Sequence, residues 1–281
     1  MKLKKREAAA LRVNEEFPYL LCPICRKKLT EQSLSLTCSE NHQFDFAKNG
    51  SLHLLTKNLK TKYTKDLFES RHYLMSEAEF FKPAINEVIT HLKEREAGII
   101  LDAGCGEGTH LAHITGELEG FTGVGIDLAK DGIQLAARHY DQPLWITADL
   151  ARAPVEAGTV DYILNILSPA NYQEFNRLLK NAGEVIKIVP GAGYLKELRN
   201  HYFGDHYEND ETVSAFYEQF DVFHKITVTV TQKLDRKAIE ALVNMTPLSW
   251  SADPEKVTSF KAKQETEMTL DVEVLFGRKR R

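Results

Sequence analysis

Three cysteines and a histidine stand in the order C-x2-C-x12-C-x3-H: Cys22, Cys25, Cys38 and His42. Thiolate sulfur and imidazole nitrogen are ligands that zinc takes, and four of them complete a tetrahedron. A tight turn aims both sulfurs of the first pair at one point, and Pro23 suits that turn. Four ligands leave no open position, so the expectation is one structural Zn2+ rather than a catalytic one. His53 is the spare candidate, but it sits in an alternating apolar stretch. The fourth cysteine, Cys105, falls in a second motif, Asp102-Ala103-Gly104-Cys105-Gly106-Glu107-Gly108.

That motif reads D-x-G-x-G-x-G. Glycines let the backbone approach a ligand closely, and a helix N-terminus offers free N–H groups. A dinucleotide-binding loop would read G-x-G-x-x-G. Here Gly108 comes one residue early and Asp102 precedes Gly104, a pattern suited to a ligand without a pyrophosphate. S-adenosyl-L-methionine is such a ligand. Asp127 closes a later apolar run, where a carboxylate can take ribose hydroxyls, and Asp149 closes the next, where an adenine amino group would lie. The competing reading is a plain glycine turn with acidic strand ends.

These residues need a frame to hold them. Gly98–Asp102, Phe121–Asp127, Pro143–Asp149, Val160–Ile166 and Glu184–Pro190 are short apolar runs separated by helical stretches. Such a pattern predicts a parallel sheet covered on both faces. Phe223–Gln232 and Glu265–Phe276 alternate instead, with a helix over Arg236–Val243 between them, and predict an antiparallel hairpin at the sheet edge. The expected architecture is α/β: a Rossmann-like class I methyltransferase domain with a seven-stranded sheet, preceded by a small zinc-binding domain. The expected boundaries are 1–56 for the zinc domain, 57–96 for a basic connection and helical lead-in, and 97–281 for the cofactor domain. Pro83 is placed to open the second of two lead-in helices.

A chain of 281 residues accommodates one large domain and a small one. No apolar run is long enough to span a bilayer, and no signal-peptide core is visible, so the expectation is a cytoplasmic protein without a membrane partner. Thiols stay reduced there, which favours metal over disulfide. The net charge of −4 argues weakly against nucleic acid. Positive charge is nevertheless gathered in Lys57, Lys60, Lys62 and Lys65 and at both termini, and a local patch can hold phosphates.

Taken in order, Cys22-Pro23-x-Cys25, Cys38-x3-His42-Gln43-Phe44-Asp45, Leu101–Gly108, Pro190-Gly191 and Met245-Thr246-Pro247 resemble the RlmA family of large-subunit rRNA guanine-N1 methyltransferases. The resemblance covers nearly the whole chain. It implies methyl transfer from S-adenosylmethionine to N1 of a guanine in the hairpin 35 loop of 23S rRNA, guanine 748 being favoured over guanine 745. The first branch is associated with resistance to tylosin-like macrolides. It also implies cofactor contacts at Gly106 and Glu107, and at Phe81 and Tyr194, where the family can carry a tyrosine and a histidine. A homodimer whose zinc modules help to form an RNA cleft is implied as well.

The methyl sulfonium is already activated, so the protein must chiefly place the nucleophile in line with it. Guanine N1 carries a proton that has to leave. Asn165 and Ser168, at the end of the fourth run, are candidates for orienting the base, although neither is a good proton acceptor, and no general base is identifiable. An unstacked base needs an aromatic wall; Tyr172, Phe175 and Trp250 are candidates. Two rival functions stay open at this point. One is a small-molecule methyltransferase with a stabilising zinc module, and the other is a non-catalytic RNA-binding adaptor.

Overall fold

The computed structural model describes residues 3–57, 61–204 and 210–280. Lys60, one of the four lysines of the basic connection, lies outside them. The N-terminal part opens with helix α1 (Lys5–Glu15) and continues into three short strands, β1 (Thr30–Gln32), β2 (Ser35–Thr37) and β3 (Gln43–Asp45), which pair antiparallel. A two-residue strand, β4 (Leu52–His53), follows. The lead-in is α2 (Lys65–Ser76) and α3 (Lys82–Lys93). Thr64 caps α2 by accepting the Leu67 N–H, and Pro83 occupies the first turn of α3, where its missing N–H costs nothing.

The alternating part runs β5 (Ile99–Ala103), α4 (Thr109–Gly116), β6 (Thr122–Asp127), α5 (Lys130–His139), β7 (Leu144–Thr147), β8 (Val160–Ile166), α6 (Tyr172–Leu178) and β9 (Leu179–Pro190). The remainder is α7 (Lys196–Phe203), α8 (Asp210–Gln219), β10 (Phe220–Asp235), α9 (Arg236–Met245), α10 (Pro254–Lys261) and β11 (Glu265–Lys279). Strands stand in the order β10-β11-β9-β8-β5-β6-β7-β4. The core from β9 to β4 is parallel, and the long β10–β11 hairpin closes one edge antiparallel.

All five residues of β5 are buried, as expected of a central strand covered on both sides. Its alternate residues divide between two cores. Ile100 faces the side packed by α2, α3, α4, α5, α9 and α10, whereas Ile99, Leu101 and Ala103 face α1, α6 and the zinc module. The sheet therefore has eight strands, one beyond the seven expected. The eighth, β4, comes from the N-terminal part and pairs parallel to β7 through Leu52–Ile146 and His53–Thr147. Two residues are too few to carry a periodic signal, so this strand reads in sequence only as a fragment.

Backbone bonds fix the zinc module against the sheet. The Leu21 N–H donates to Pro154 O, the Glu156 N–H donates to Tyr19 O, and the Arg26 guanidinium donates to Ala153 O at 2.9 Å. The segment so gripped directly follows Asp149.

Candidate cofactor and metal sites

Cys22, Cys25, Cys38 and His42 converge, with all four ligand atoms within 4.8 Å of one another. Arg26 and Asn41 adopt left-handed backbone, which turns each knuckle sharply. The Arg26 N–H closes back on Cys22 O, and the Asn41 N–H on Cys38 O. Sulfur lies 3.6 Å from sulfur between Cys25 and Cys38, and 3.4 and 3.5 Å from His42 Nδ1 at Cys38 and Cys22. Zn–S bonds of about 2.3 Å and Zn–N bonds of about 2.0 Å set tetrahedral edges of about 3.5–3.8 Å. The donor set and its spacing fit zinc. His53 stands on β4 outside this cluster.

The glycine loop leaves β5 and enters α4 with Gly104, Gly106 and Gly108 all at positive φ. A Cβ on Gly104 would meet Ser168 Oγ at 2.1 Å, and one on Gly108 would meet the Trp145 ring at 2.4 Å. Asp127 ends β6 and fastens the loop from the side. One carboxylate oxygen accepts the Gly106 N–H at 2.8 Å and the other accepts the Ala129 N–H at 2.7 Å. Burial pushes its carboxyl up despite those two bonds. Asp149 accepts the Ala151 N–H and starts a short 3-10 turn, Leu150–Arg152.

Beneath the loop lies an ion pair that sequence reading missed. Arg71, on α2, places Nε 2.6 Å from Oε2 of Glu107, whose side chain is fully buried. Apart from the Arg71 contact, neither Glu107 oxygen has a hydrogen-bond partner among the described residues. Burial by itself would lower the Arg71 pKa, but Glu107, Tyr194 and Asp102 more than offset it. Asp102 is likewise buried, and desolvation carries it up to about 8 against the pull of Arg71.

A cavity of about 970 Å³ opens over the loop. Gly104, Gly106, Asp127 and Asp149 line one side, and Ser168, Tyr172, Lys187 and Tyr194 line another. Thr61 and Tyr63, from the basic connection, reach its wall as well. Tyr63 packs edge-on against the exposed Trp250 at 5.6 Å between ring centroids, and Lys62 lies over the Trp250 ring. Asp102, Glu107, Gly108 and Phe81 do not line the cavity. They form the layer under it, with Phe81 packed against Tyr194 at 6.3 Å between ring centroids. A glycine cradle with the carboxylates of Asp127 and Asp149 on its wall fits a ligand carrying a ribose and an amino group.

The end of β8 behaves differently from its reading in sequence. Asn165 is fully buried, and its amide donates to Ala103 O and Pro169 O. Its remaining oxygen accepts from Lys187 Nζ, on β9. Ser168 is the candidate that stands on the cavity wall, above Gly104. Phe175 belongs to the core, whereas Tyr172 borders the cavity.

Comparison with known proteins places both modules. Residues 20–62 match a family described as "RlmA, N-terminal", and residues 100–188 match a methyltransferase domain. A Bacillus subtilis protein, YxjB, provisionally named a 23S rRNA (guanine-N1)-methyltransferase, is 41% identical over 94% of this chain and 98% of its own length. The 23S rRNA (guanine(748)-N(1))-methyltransferase of Streptomyces fradiae is 28% identical over 85% of this chain and 88% of its own. Among solved structures, an S-adenosylmethionine-dependent methyltransferase from Thiobacillus denitrificans, in complex with S-adenosyl-L-homocysteine, shares the fold. Its TM-score is 0.50 at 15% identity, over 80% of this chain and all of that one.

Proposed function

The chain belongs to the RlmA family of 23S rRNA (guanine-N1)-methyltransferases, and on that premise we propose that it methylates N1 of a guanine in the hairpin 35 loop of 23S rRNA. It is an S-adenosylmethionine-dependent enzyme that carries an N-terminal zinc ribbon. The observation that carries the substrate reading is the similarity to YxjB, which spans the ribbon and the catalytic domain together at 41% identity. A small-molecule enzyme that merely shared the fold would match the second part alone. The named specificity of the Streptomyces fradiae relative favours guanine 748, the branch that the family resemblance associates with macrolide resistance.

The donor end of the cavity is assigned to Gly104, Gly106, Asp127 and Asp149. Glu107 supplies negative charge beneath them and Arg71 balances it, while Asp102, its carboxyl carried up to about 8 by burial, lies beside the pair mostly protonated near neutral pH. Bound S-adenosylmethionine supplies an activated methyl group. The protein holds the ribose side with Asp127, already oriented by its two backbone bonds, and leaves the wall by Ser168 and Lys187 for the acceptor. Phe81 and Tyr194 support the donor pocket from its far side. Tyr63 and Trp250 stand at the opening, where a planar base leaving its stack would meet aromatic rings.

The family resemblance further implies a homodimer, which the mass of the particle in solution tests. Among the described residues no helix is long and apolar enough to cross a membrane, and an rRNA acceptor agrees with a cytoplasmic location. The test of the function is incubation with methyl-labelled S-adenosylmethionine and either 23S rRNA or a pool of small metabolites. The proposal expects label in the RNA; label confined to metabolites overturns it.

A further inference from the structure

Lys187 is the least exposed basic residue among the described residues. It sits in β9 within the apolar run Val185-Ile186-Lys187-Ile188-Val189, and only 2% of it is exposed. Among the described residues no carboxylate pairs with it. Buried cations ordinarily carry a partner, because desolvation is otherwise uncompensated. What meets Nζ instead is Asn165 Oδ1, on the neighbouring strand at the same register. The Asn165 amide nitrogen is committed to Ala103 O and Pro169 O, so its oxygen is held toward the lysine. The Tyr172 ring lies 5.8 Å from Nζ. Lys187 and Tyr172 line the cavity wall that also carries Ser168, above the glycine loop, with Asn165 buried behind them.

We infer that Lys187 is a catalytic residue whose ammonium group, held by Asn165, receives O6 of the target guanine as N1 loses its proton. The inference rests on the proposed guanine-N1 activity and names a residue for it. An ammonium group has three donors. Asn165 takes one, which leaves donors for an oxygen entering the cavity. Loss of the N1 proton places negative charge on N1 and O6 together, and a fixed cation at O6 favours that ionised form before attack. The balance is simple. The N1–H proton passes to solvent, the N1 lone pair forms the bond to the methyl carbon, and the methyl–sulfur bond breaks, leaving a neutral thioether. Lys187 keeps its proton throughout.

Burial lowers the Lys187 pKa to about 8, so the ammonium form still predominates at pH 7. From the elements packed against it, the facing groups are Asn165 on β8 and Tyr172 on α6. Burial pushes the Tyr172 phenol up, which keeps it neutral through this range. A proton-accepting amine and a proton-keeping ammonium predict opposite behaviour above that pH. As a cation, Lys187 makes the rate rise with guanine ionisation and then fall as the lysine deprotonates. As a base, it would make the rate rise through about pH 8 and level off.

The experiment uses the full zinc-loaded chain with a hairpin 35 RNA and compares wild type with Lys187→Met and Lys187→Arg. Single-turnover rates, S-adenosylmethionine affinity, RNA affinity and the pH profile are read. The expected result for Lys187→Met is a loss of about 100-fold in rate, the scale of removing one oxyanion donor. Both affinities should stay near wild type, and the deficit should shrink at high pH. Lys187→Arg, which keeps a cation and cannot act as a base, should recover much of the rate. An NMR titration of the Lys187 side chain should show its midpoint move upward when RNA binds in the presence of S-adenosylhomocysteine. The inference is overturned if Lys187→Met turns over at the wild-type rate. It is equally overturned if Lys187→Arg is as inactive as Lys187→Met while small primary amines rescue the latter. A wild-type chain that methylates no RNA would instead overturn the function on which the inference rests.

Discussion

Arg71 Nε stands 2.6 Å from Glu107 Oε2 and so ties the helix ahead of the sheet to the glycine loop inside it. The pair gives α2 a function beyond covering the core. It places one cation beside the buried Glu107 and Asp102, under the cavity, and near the half-buried Asp127 on its wall. Removing one partner of a buried pair leaves the other charge stranded, at about 3–5 kcal/mol. Arg71→Met should therefore destabilise the protein by about 3 kcal/mol in denaturant unfolding, and adding Glu107→Gln should restore part of the loss. Additive losses in the double variant would show that the two side chains act independently.

The metal cluster predicts one zinc per chain. Cys38→Ser removes a ligand from a closed set of four, so metal analysis of the purified variant should find far less than one equivalent. Its ribbon should open, because β1 to β3 bury little by themselves. Chelation of the wild-type protein should have the same effect. Full zinc in the Cys38→Ser protein would remove that residue from the site.

Glu184 joins three elements. His91 on α3 meets it at 2.8 Å, Arg278 on β11 at 2.7 Å, and Arg95, just past α3, at 3.3 Å. Burial raises its carboxyl, but these partners outweigh that and hold it at about 2, against an ordinary value of 4.5. A carboxylate with a depressed folded pKa stabilises fully above its unfolded pKa and loses that stabilisation as pH falls through the folded value. Glu184→Gln should thus cost most near pH 7, and its deficit should fade between pH 4.5 and pH 2. Unfolding free energies measured across that range, with a deficit that does not change, would contradict the clamp.

The basic connection reaches the cavity wall through Thr61 and Tyr63. Replacing Lys57, Lys60, Lys62 and Lys65 by glutamine should weaken RNA binding and reduce its salt dependence by about 0.7 in log–log slope for each phosphate no longer neutralised. Lys65, paired with Glu69 at 3.0 Å, should contribute least. Calorimetry should find S-adenosylmethionine binding unchanged. A wild-type salt slope would make these lysines a solvated linker.

Much of the frame was legible because burial imposes period and composition. The runs at Ile99–Ala103 and Thr122–Asp127 are apolar since both sheet faces are covered, and Asp127 stands out as the carboxylate ending one. The metal ligands were legible because their spacing is local. What lay beyond reading depends on how distant elements meet. Arg71 reaches Glu107 only after α2 packs over the loop, and nothing near either residue signals the other. Leu52–His53 is too short to declare itself a strand. Lys187 did leave a trace, since a lysine inside an apolar five-residue run is unusual for a buried strand. Asn165 was visible as a polar residue at a strand end, but its three hydrogen bonds, which direct it to Lys187, come from the fold.

The most direct test of the whole account is to locate the transferred methyl group. Purified protein, S-adenosylmethionine and a hairpin 35 RNA should yield N1-methylguanine, and primer extension should stop at guanine 748. Replacing that guanine by adenine should abolish transfer. Methylation at another base or another ring atom, or none in RNA while a small molecule is methylated, would contradict it.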